Sequence, residues 1–95
     1  MKLAKSFEKH LRKHLQEVYI GDERGDGYHI QIIVIDSCFS NMNRVQRSRH
    51  VFSIVHNFLV GIHAVTVRTY TPQEWKQKKS SFSLSKYIHL HLSSV

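Results

Sequence analysis

The chain has 95 residues, 41% hydrophobic and 22% charged, which is room for one globular domain and no second core. Its formal net charge at pH 7 is +7, and the whole excess comes from residues 37–95, where eight Lys/Arg residues face Glu74 alone. No apolar run approaches the roughly 20 residues that cross a bilayer, which argues against a membrane span, and the single Cys38 excludes an internal disulfide.

The first predicted element is a helix from about Lys2 to Val18. Its basis is one apolar stripe at helical spacing, formed by Leu3, Phe7, Leu11, Leu15 and Val18. The basic, amphipathic start also fits a mitochondrial presequence, but a continuous stripe is more typical of a core-facing helix. A short strand over residues 18–20 and a polar loop over residues 21–27 follow.

A second strand is predicted from His29 to Asp36, and its run of isoleucine and valine is typical of a central strand. Asn41 or Asn43 then caps a second helix. This helix is expected to bury a stripe at positions i, i+3, i+4, i+7 and i+8, formed by Val51, Ile54, Val55, Phe58 and Leu59. Gly61 is expected to end it.

The third strand, over residues 64–70, and the third helix, over residues 72–79, adjoin each other and carry the strongest local signal in the chain. Thr71 is the N-cap candidate and Pro72 falls at the first helical position. Glu74 stands three residues after Thr71, where it completes a capping box.

These elements predict an α+β fold in the order α-β-β-α-β-α. Residues 1–79 form the domain, with a three-stranded mixed sheet and the helices on one face. The crossover through the second helix makes strands two and three parallel. The serine-rich residues 80–95 are predicted to be a weakly ordered C-terminal extension that retains enough apolar residues to dock or to form a short strand.

Three segments of the chain resemble the BolA-like family. Ile62–Trp75 is similar to the family's Ile-His-Ala and hydrophobic strand, followed by Thr-Pro-x-x-Trp. Tyr28–Phe39 resembles its histidine, strand and Ser-x-x-Phe, and Val45–Arg49 resembles its Gln-Arg-His-Arg, with Ser48 where the family usually has histidine. The resemblance covers roughly residues 3–79 and implies the BolA-like fold, which is related to class II KH domains.

The resemblance also implies a function, that of a non-enzymatic adaptor in iron–sulfur cluster trafficking or iron regulation. BolA-like proteins typically bind a monothiol glutaredoxin and share a bridging 2Fe–2S cluster with it and with glutathione. Matched residue by residue, their strand-three histidine falls on His63, and their second ligand, a His or Cys from the loop between strands one and two, falls on His29. Two ligands cannot close a metal site, so we expect no cluster in the isolated monomer and a heterodimer with glutaredoxin.

The basic second half supports an alternative function, that of a KH-like nucleic-acid-binding protein or transcriptional regulator. The residues that would line such a surface, or dock the glutaredoxin, are Arg47, Arg49, Arg68, Lys76, Lys78 and Lys79. The sequence has no Gly-x-x-Gly loop of the kind with which KH domains clamp a nucleic-acid backbone. An enzyme is the weakest class, because the sequence nominates no paired carboxylates, activated nucleophile or phosphate-binding loop.

The other polar candidates are expected to have no ligand role. Cys38 follows the second strand at the end opposite to His29, which favours a semi-buried packing thiol. The histidines of the helices, His10, His14 and His56, are expected to be solvated, and the pair in the tail, His89 and His91, has no counterpart in the family. The cytoplasm is the expected compartment, with the nucleus and the mitochondrion as alternatives.

Overall fold

The computed structural model describes residues 5–22, 25, 29–59 and 64–91. In chain order the helices and strands are α1 (Lys5–His14), β1 (Glu17–Gly21), β2 (His29–Ile35), α2 (Arg44–Val55), β3 (Ala64–Tyr70), α3 (Pro72–Lys78) and β4 (Tyr87–His91). Short 3-10 turns lie at Ser37–Asn41, His56–Phe58, Lys79–Ser81 and Leu84–Lys86. Within the described ranges no helix is long and apolar enough to cross a membrane.

The four strands form one mixed sheet in the order β3-β2-β1-β4. β2 and β3 are parallel, as predicted, and β1 is antiparallel to both β2 and β4. The predicted three-stranded sheet is therefore wrong, because the segment assigned to a C-terminal extension contributes β4. The short strand that the apolar residues of this segment allowed is present, and in it Ile88 and Leu90 alternate with polar residues. The weak order predicted for residues 80–95 as a whole stays a prediction.

Most predicted elements lie close to their expected bounds, and the first two helices are the exceptions. α2 ends at Val55, before the expected end at Gly61, and a 3-10 turn follows it. α1 ends at His14, whereas Val18, the predicted end of that helix, is fully buried in β1. The β-branched and aromatic residues of β1 pair with β2 on one side and β4 on the other, and this pairing overrides the helical stripe. Of the two candidate caps of α2, Asn43 is the one used: its side chain accepts a hydrogen bond from the Gln46 backbone N–H at 2.9 Å.

One face of the sheet packs against α1 and α2. Alternate residues of β2, such as Ile32 and Val34, point to this face and are buried. The predicted stripes of the two helices meet them there, except that Leu3 lies outside the described residues. The predicted burial of Phe58 is wrong, because α2 ends before it and the helical spacing does not continue; Phe58 lies in the following 3-10 turn and is 38% exposed. The buried members of this core are Phe7, Leu11, Leu15, Val18, Ile20, Ile30, Ile32, Val34, Phe39, Val51, Ile54 and Val55.

The opposite face is covered by α3 and by the segment that leads into β4. Tyr19, Ile33 and Ile35 point to this face and bury Trp75 of α3 against them. The prediction that all helices lie on one face is therefore wrong. β1 and β2 are apolar on both sides, and a sheet of that kind buries both faces. Partly buried residues complete this second core, namely Tyr70, Phe82, Leu84 and Tyr87.

An ion pair between Arg47 and Glu74 fastens α3 to α2. The Arg47 Nη1 atom lies 2.8 Å from Glu74 Oε1, and the Arg47 side chain is only 16% exposed. The same guanidinium donates through Nε to the carbonyl oxygens of Phe39 and Met42, each at 3.1 Å. Glu74 also closes the predicted capping box, because its Oε1 accepts from the Thr71 N–H at 2.8 Å. One carboxylate thus starts α3 and ties it to α2.

The docking of β4 depends on a glycine in β1. Gly21 is paired with Gln31 of β2 on one side and with Tyr87 of β4 on the other. The Tyr87 ring lies over Gly21, and its hydroxyl donates to Gln31 Oε1 at 2.5 Å. A Cβ atom at position 21 would stand 2.8 Å from the ring. The absence of a side chain therefore lets the tyrosine reach across the middle strand.

Replacing Gly21 by alanine is expected to lower the free energy of unfolding by about 1–3 kcal/mol, the usual cost of an overpacked site. In a Tyr87→Ala background the ring atoms that the new Cβ atom would approach most closely are absent. There it is expected to be neutral or stabilising by about 0.5 kcal/mol, because alanine has the better strand entropy. Urea unfolding of the four proteins of this double-mutant cycle measures both values. An equal cost of Gly21→Ala in both backgrounds would contradict the contact.

The Arg47–Glu74 pair is expected to make stability depend on acid pH. The backbone N–H of Thr71, and then the Arg47 guanidinium, hold the pKa of Glu74 below its ordinary value. The stabilisation is therefore present above the unfolded pKa of about 4.3 and is lost as the pH falls through the lower pKa of the folded state.

We expect Glu74→Gln to lower the free energy of unfolding by about 1 kcal/mol at pH 7, and the deficit to shrink as the pH falls below about 4. Urea unfolding across this pH range measures it. Glu8→Gln is the matched control, because Glu8 forms an exposed i,i+4 pair with Arg12 at 3.3 Å; pairs of this kind contribute only about 0.3–0.5 kcal/mol. A Glu74→Gln deficit that is constant with pH would rule out the linkage.

Candidate functional site

His29, one of the two predicted metal ligands, is the first residue of β2. It is partly buried and points to the same face as Gln31. In the parallel pairing of β2 with β3 its partner is Ala64, the first residue of β3. His63, the other predicted ligand, lies outside the described residues, so the convergence of the two imidazoles stays a prediction. The structure shows only that His29 pairs with Ala64, the residue that follows His63 in the chain.

Cys38 is remote from this end of the sheet. It lies in the turn after Ile35, and the six residue steps of β2 from His29 span about 20 Å at 3.3 Å per step. The residue is exposed, so its predicted semi-buried position is wrong. Partial desolvation and the neighbouring Asp36 carboxylate raise the pKa of the Cys38 thiol to about 11. At neutral pH Cys38 is therefore a protonated thiol, which is a poor metal ligand and a poor nucleophile.

Among the described residues, no three His, Cys, Asp or Glu side chains lie close enough together to hold a metal ion. Two histidines that were predicted to have no ligand role make structural contacts. The ring of His10 donates to the Ile54 carbonyl oxygen at 2.8 Å and so joins α1 to α2, which corrects its predicted solvated position. The ring of His89 is stacked on Tyr19 at 4.2 Å and lies 2.7 Å from the Glu17 carboxylate. Two features of the sequence could have indicated these contacts. One is the helical position of His10 on α1, and the other is the alternation of residues along the last strand, which sets the face of His89.

A basic groove of about 670 Å³ opens between the start of α2, β3 and α3. The predicted surface residues Arg47, Arg68 and Lys78 line it, together with Arg44, which the sequence analysis did not single out. Arg44 stands in the first turn of α2, a turn without an acidic residue, although the positive end of the helix dipole favours anions there. That electrostatic conflict was a readable signal for an anionic partner.

The structure divides the predicted basic surface into separate parts. Arg47 is engaged by Glu74 and by two backbone carbonyls, so it braces the groove. Arg68 and Lys78 are exposed in the groove wall. The remaining three predicted residues are exposed but do not line the groove, namely Arg49, Lys76 and Lys79.

The sequence matches known proteins over most of its length. The profile of the family described as "BolA-like protein" matches residues 5–74. The chain is 36% identical over 67 residues to the acid stress protein IbaG of Escherichia coli K12, an alignment that covers 68% of this chain and 76% of IbaG. It is 27% identical over 82 residues to the DNA-binding transcriptional regulator BolA of Haemophilus influenzae, which covers 84% of this chain and 80% of that protein.

Solved structures show the same fold. BolA1 from Arabidopsis thaliana superposes with a TM-score of 0.64 at 27% identity and covers 78% of this chain and 98% of that chain. BolA1 from Mus musculus superposes with a TM-score of 0.65 at 23% identity, covering 84% of this chain and 72% of that chain, which supports the fold alone. With a profile match that spans far more than half of its residues, the chain belongs to the BolA-like family.

Proposed function

We propose that this protein is a non-enzymatic iron–sulfur adaptor that binds a monothiol glutaredoxin and supplies His63 and His29 to a bridging 2Fe–2S cluster. The observation that carries the proposal is the parallel pairing of β2 with β3. It sets His29 opposite Ala64, the residue that follows His63 in the chain. Family membership adds support, because the proposed ligands match the histidines that BolA-like proteins use in this way.

The donor chemistry fits a cluster that is shared with another protein. Neutral imidazole is a competent iron ligand, and histidine in place of thiolate raises the reduction potential of a 2Fe–2S centre. His29 is accessible at the end of its strand, whereas the thiol of Cys38 stands at the far end of β2 and is protonated. A pair of histidines leaves the remaining coordination to the glutaredoxin cysteine and to glutathione.

The groove beside α3 is proposed to contribute to docking of the glutaredoxin. Arg68 and Lys78 are exposed there, while Arg47 is held by Glu74. Surface charges of this kind mainly accelerate association and orient the partner, whereas the histidines determine whether the cluster is shared.

When the protein is added to cluster-loaded glutaredoxin, His63→Ala and His29→Ala are each expected to abolish the change that the parent causes in the visible circular dichroism of the cluster. His56→Ala is the matched control, because His56 is exposed at the end of α2 and its ring bonds only to the Phe52 carbonyl of its own helix.

Spectra of the His63→Ala complex that match those of the parent would show that the ligand assignment is wrong. A size-exclusion run on the same mixtures separates the two steps of the proposal. A variant that still co-elutes with glutaredoxin, but leaves the spectrum of the loaded glutaredoxin as it was before mixing, has lost ligation and kept binding.

A nucleic-acid-binding function is the second candidate, and the observation in its favour is the groove with Arg44, Arg68 and Lys78. A relative at 27% identity is named a DNA-binding transcriptional regulator. Direct binding to phosphates would make the logarithm of the association constant fall linearly with that of the salt concentration.

For this second function, Arg68→Ala is expected to weaken binding of a fluorescent DNA duplex and to reduce the salt slope by about one unit. Lys9→Ala, an exposed change on α1, is the control and is expected to leave the slope unaltered. Fluorescence anisotropy at salt concentrations between about 50 and 200 mM measures both the affinity and the salt slope. Flat titrations at the lowest salt would dispose of this function.

A further inference from the structure

β3 forms one border of the sheet, and its outer edge faces the basic groove. In the order β3-β2-β1-β4 it has a strand neighbour on one side only within the described chain. Four consecutive β3 residues, from Val67 to Tyr70, line the groove between α2 and α3. The edge is therefore the floor of the groove, and the two helices are its walls.

The backbone groups that face the groove can be identified from one hydrogen bond. The Tyr70 carbonyl oxygen accepts from the Asp36 N–H at 3.0 Å, so the backbone groups of Tyr70 point toward β2. The N–H and C=O groups of successive strand residues point to opposite sides. Those of Val65, Val67 and Thr69 therefore point outward, and no described group of the chain bonds to them.

An open strand edge of this kind is a template for another strand, and proteins usually cover or blunt it. Here it is recessed between helices rather than blunted. The Arg47–Glu74 pair stands where β3 passes into α3, because Glu74 also accepts from the Thr71 N–H. The groove is thus bounded at that end and has the 300–1,000 Å³ size that is typical of ligand sites.

The charges around the edge specify the partner. Arg44, Arg68 and Lys78 have no carboxylate partner among the described residues, whereas the charge of Arg47 is balanced by Glu74. Arg68 is held in place over the Phe82 ring, with its guanidinium carbon 5.8 Å from the ring centre. A second copy of the chain, with its net charge of +7, would bring like charges together. An acidic segment would neutralise them.

We propose that the outer edge of β3, between α2 and α3, receives an extended acidic segment of a partner protein as a fifth strand of the sheet. Main-chain hydrogen bonds to Val65, Val67 and Thr69 supply affinity. Side chains of the added strand lie opposite those of β3 on the same face. Alternate acidic residues therefore meet Arg68 and Lys78 on the α3 side, and the residues between them meet Val67 on the α2 side.

This site is independent of the cluster ligands, so it is tested with the protein alone. The probe is a fluorescent nine-residue peptide in which valine and glutamate alternate, compared with a glutamine version. At about 0.15 M salt, where charges more than about 8 Å apart are screened, we expect the glutamate peptide to bind about tenfold more tightly or better. Amide hydrogen exchange of Val67 and Thr69 is expected to slow when it is bound.

Two methylated peptides test the strand geometry. One carries N-methyl groups on every valine and the other on every glutamate, so each loses the donors on one edge of the strand. Strand addition predicts that one of them loses binding by about tenfold or more while the other binds like the parent. If both methylated peptides bind as tightly as the unmethylated peptide, the proposal is overturned.

Two double variants with the same change in net charge test the location. Arg68→Glu with Lys78→Glu is expected to weaken peptide binding about tenfold or more, whereas Lys76→Glu with Lys79→Glu, outside the groove, changes it less than about twofold. Equal weakening by both pairs overturns the site, since attraction would then reflect net charge alone. Binding of single-stranded DNA through Arg68 and Lys78 without binding of the peptide also overturns it, as does a dimer of the chain that excludes the peptide.

Discussion

The structure depends on a central strand that is apolar on both of its faces. Ile32 and Val34 of β2 point to one side and Ile33 and Ile35 to the other, and all four are almost completely buried. Burial of apolar area is the dominant favourable contribution to folding, so each face of the sheet requires its own cover. α1 and α2 supply one cover, and α3 with the segment before β4 supplies the other. The positions of the three helices follow from this requirement.

The cover on the second face of the sheet contains few buried residues, so it also depends on polar contacts. α3 has a single buried side chain, Trp75, and is held additionally by the Arg47–Glu74 pair. Arg47 is therefore a brace between two helices rather than a free charge for a ligand. The basic groove that remains beside it keeps its shape because that brace sets the spacing of its walls.

Signals that reside in short stretches of sequence were readable before the structure. The capping box at Thr71 and Glu74 is present, and the stripe around Val51 and Val55 is the buried face of α2. Long-range partners could not be read in this way. The side of the sheet that α3 covers depends on Trp75 meeting Tyr19, which is distant in the chain.

The number of strands in the sheet was also mispredicted, because the pairing of the last strand could not be read from its own residues. β4 pairs with β1 over five residues, and Gly21 leaves room for Tyr87 to reach Gln31 across β1. Composition gives no hint of that pairing, and the serines before β4 suggest a loop. For the candidate site, His29 was nominated by resemblance to a family rather than by physics. The roles of Arg44 and Arg47 were decided by tertiary contacts that a list of charges does not contain.

The two proposed sites adjoin β3 at different points along its length. The proposed cluster ligands belong to the end at Ala64, which pairs with His29, whereas the groove lies beside Val67 to Tyr70. The groove begins three residue steps from Ala64, about 10 Å at 3.3 Å per step, and reaches Tyr70 after six steps, roughly 20 Å. A partner can therefore occupy both ends of one strand through separate parts of its surface. Two modest contacts of this kind reinforce each other, because the first raises the effective concentration of the second.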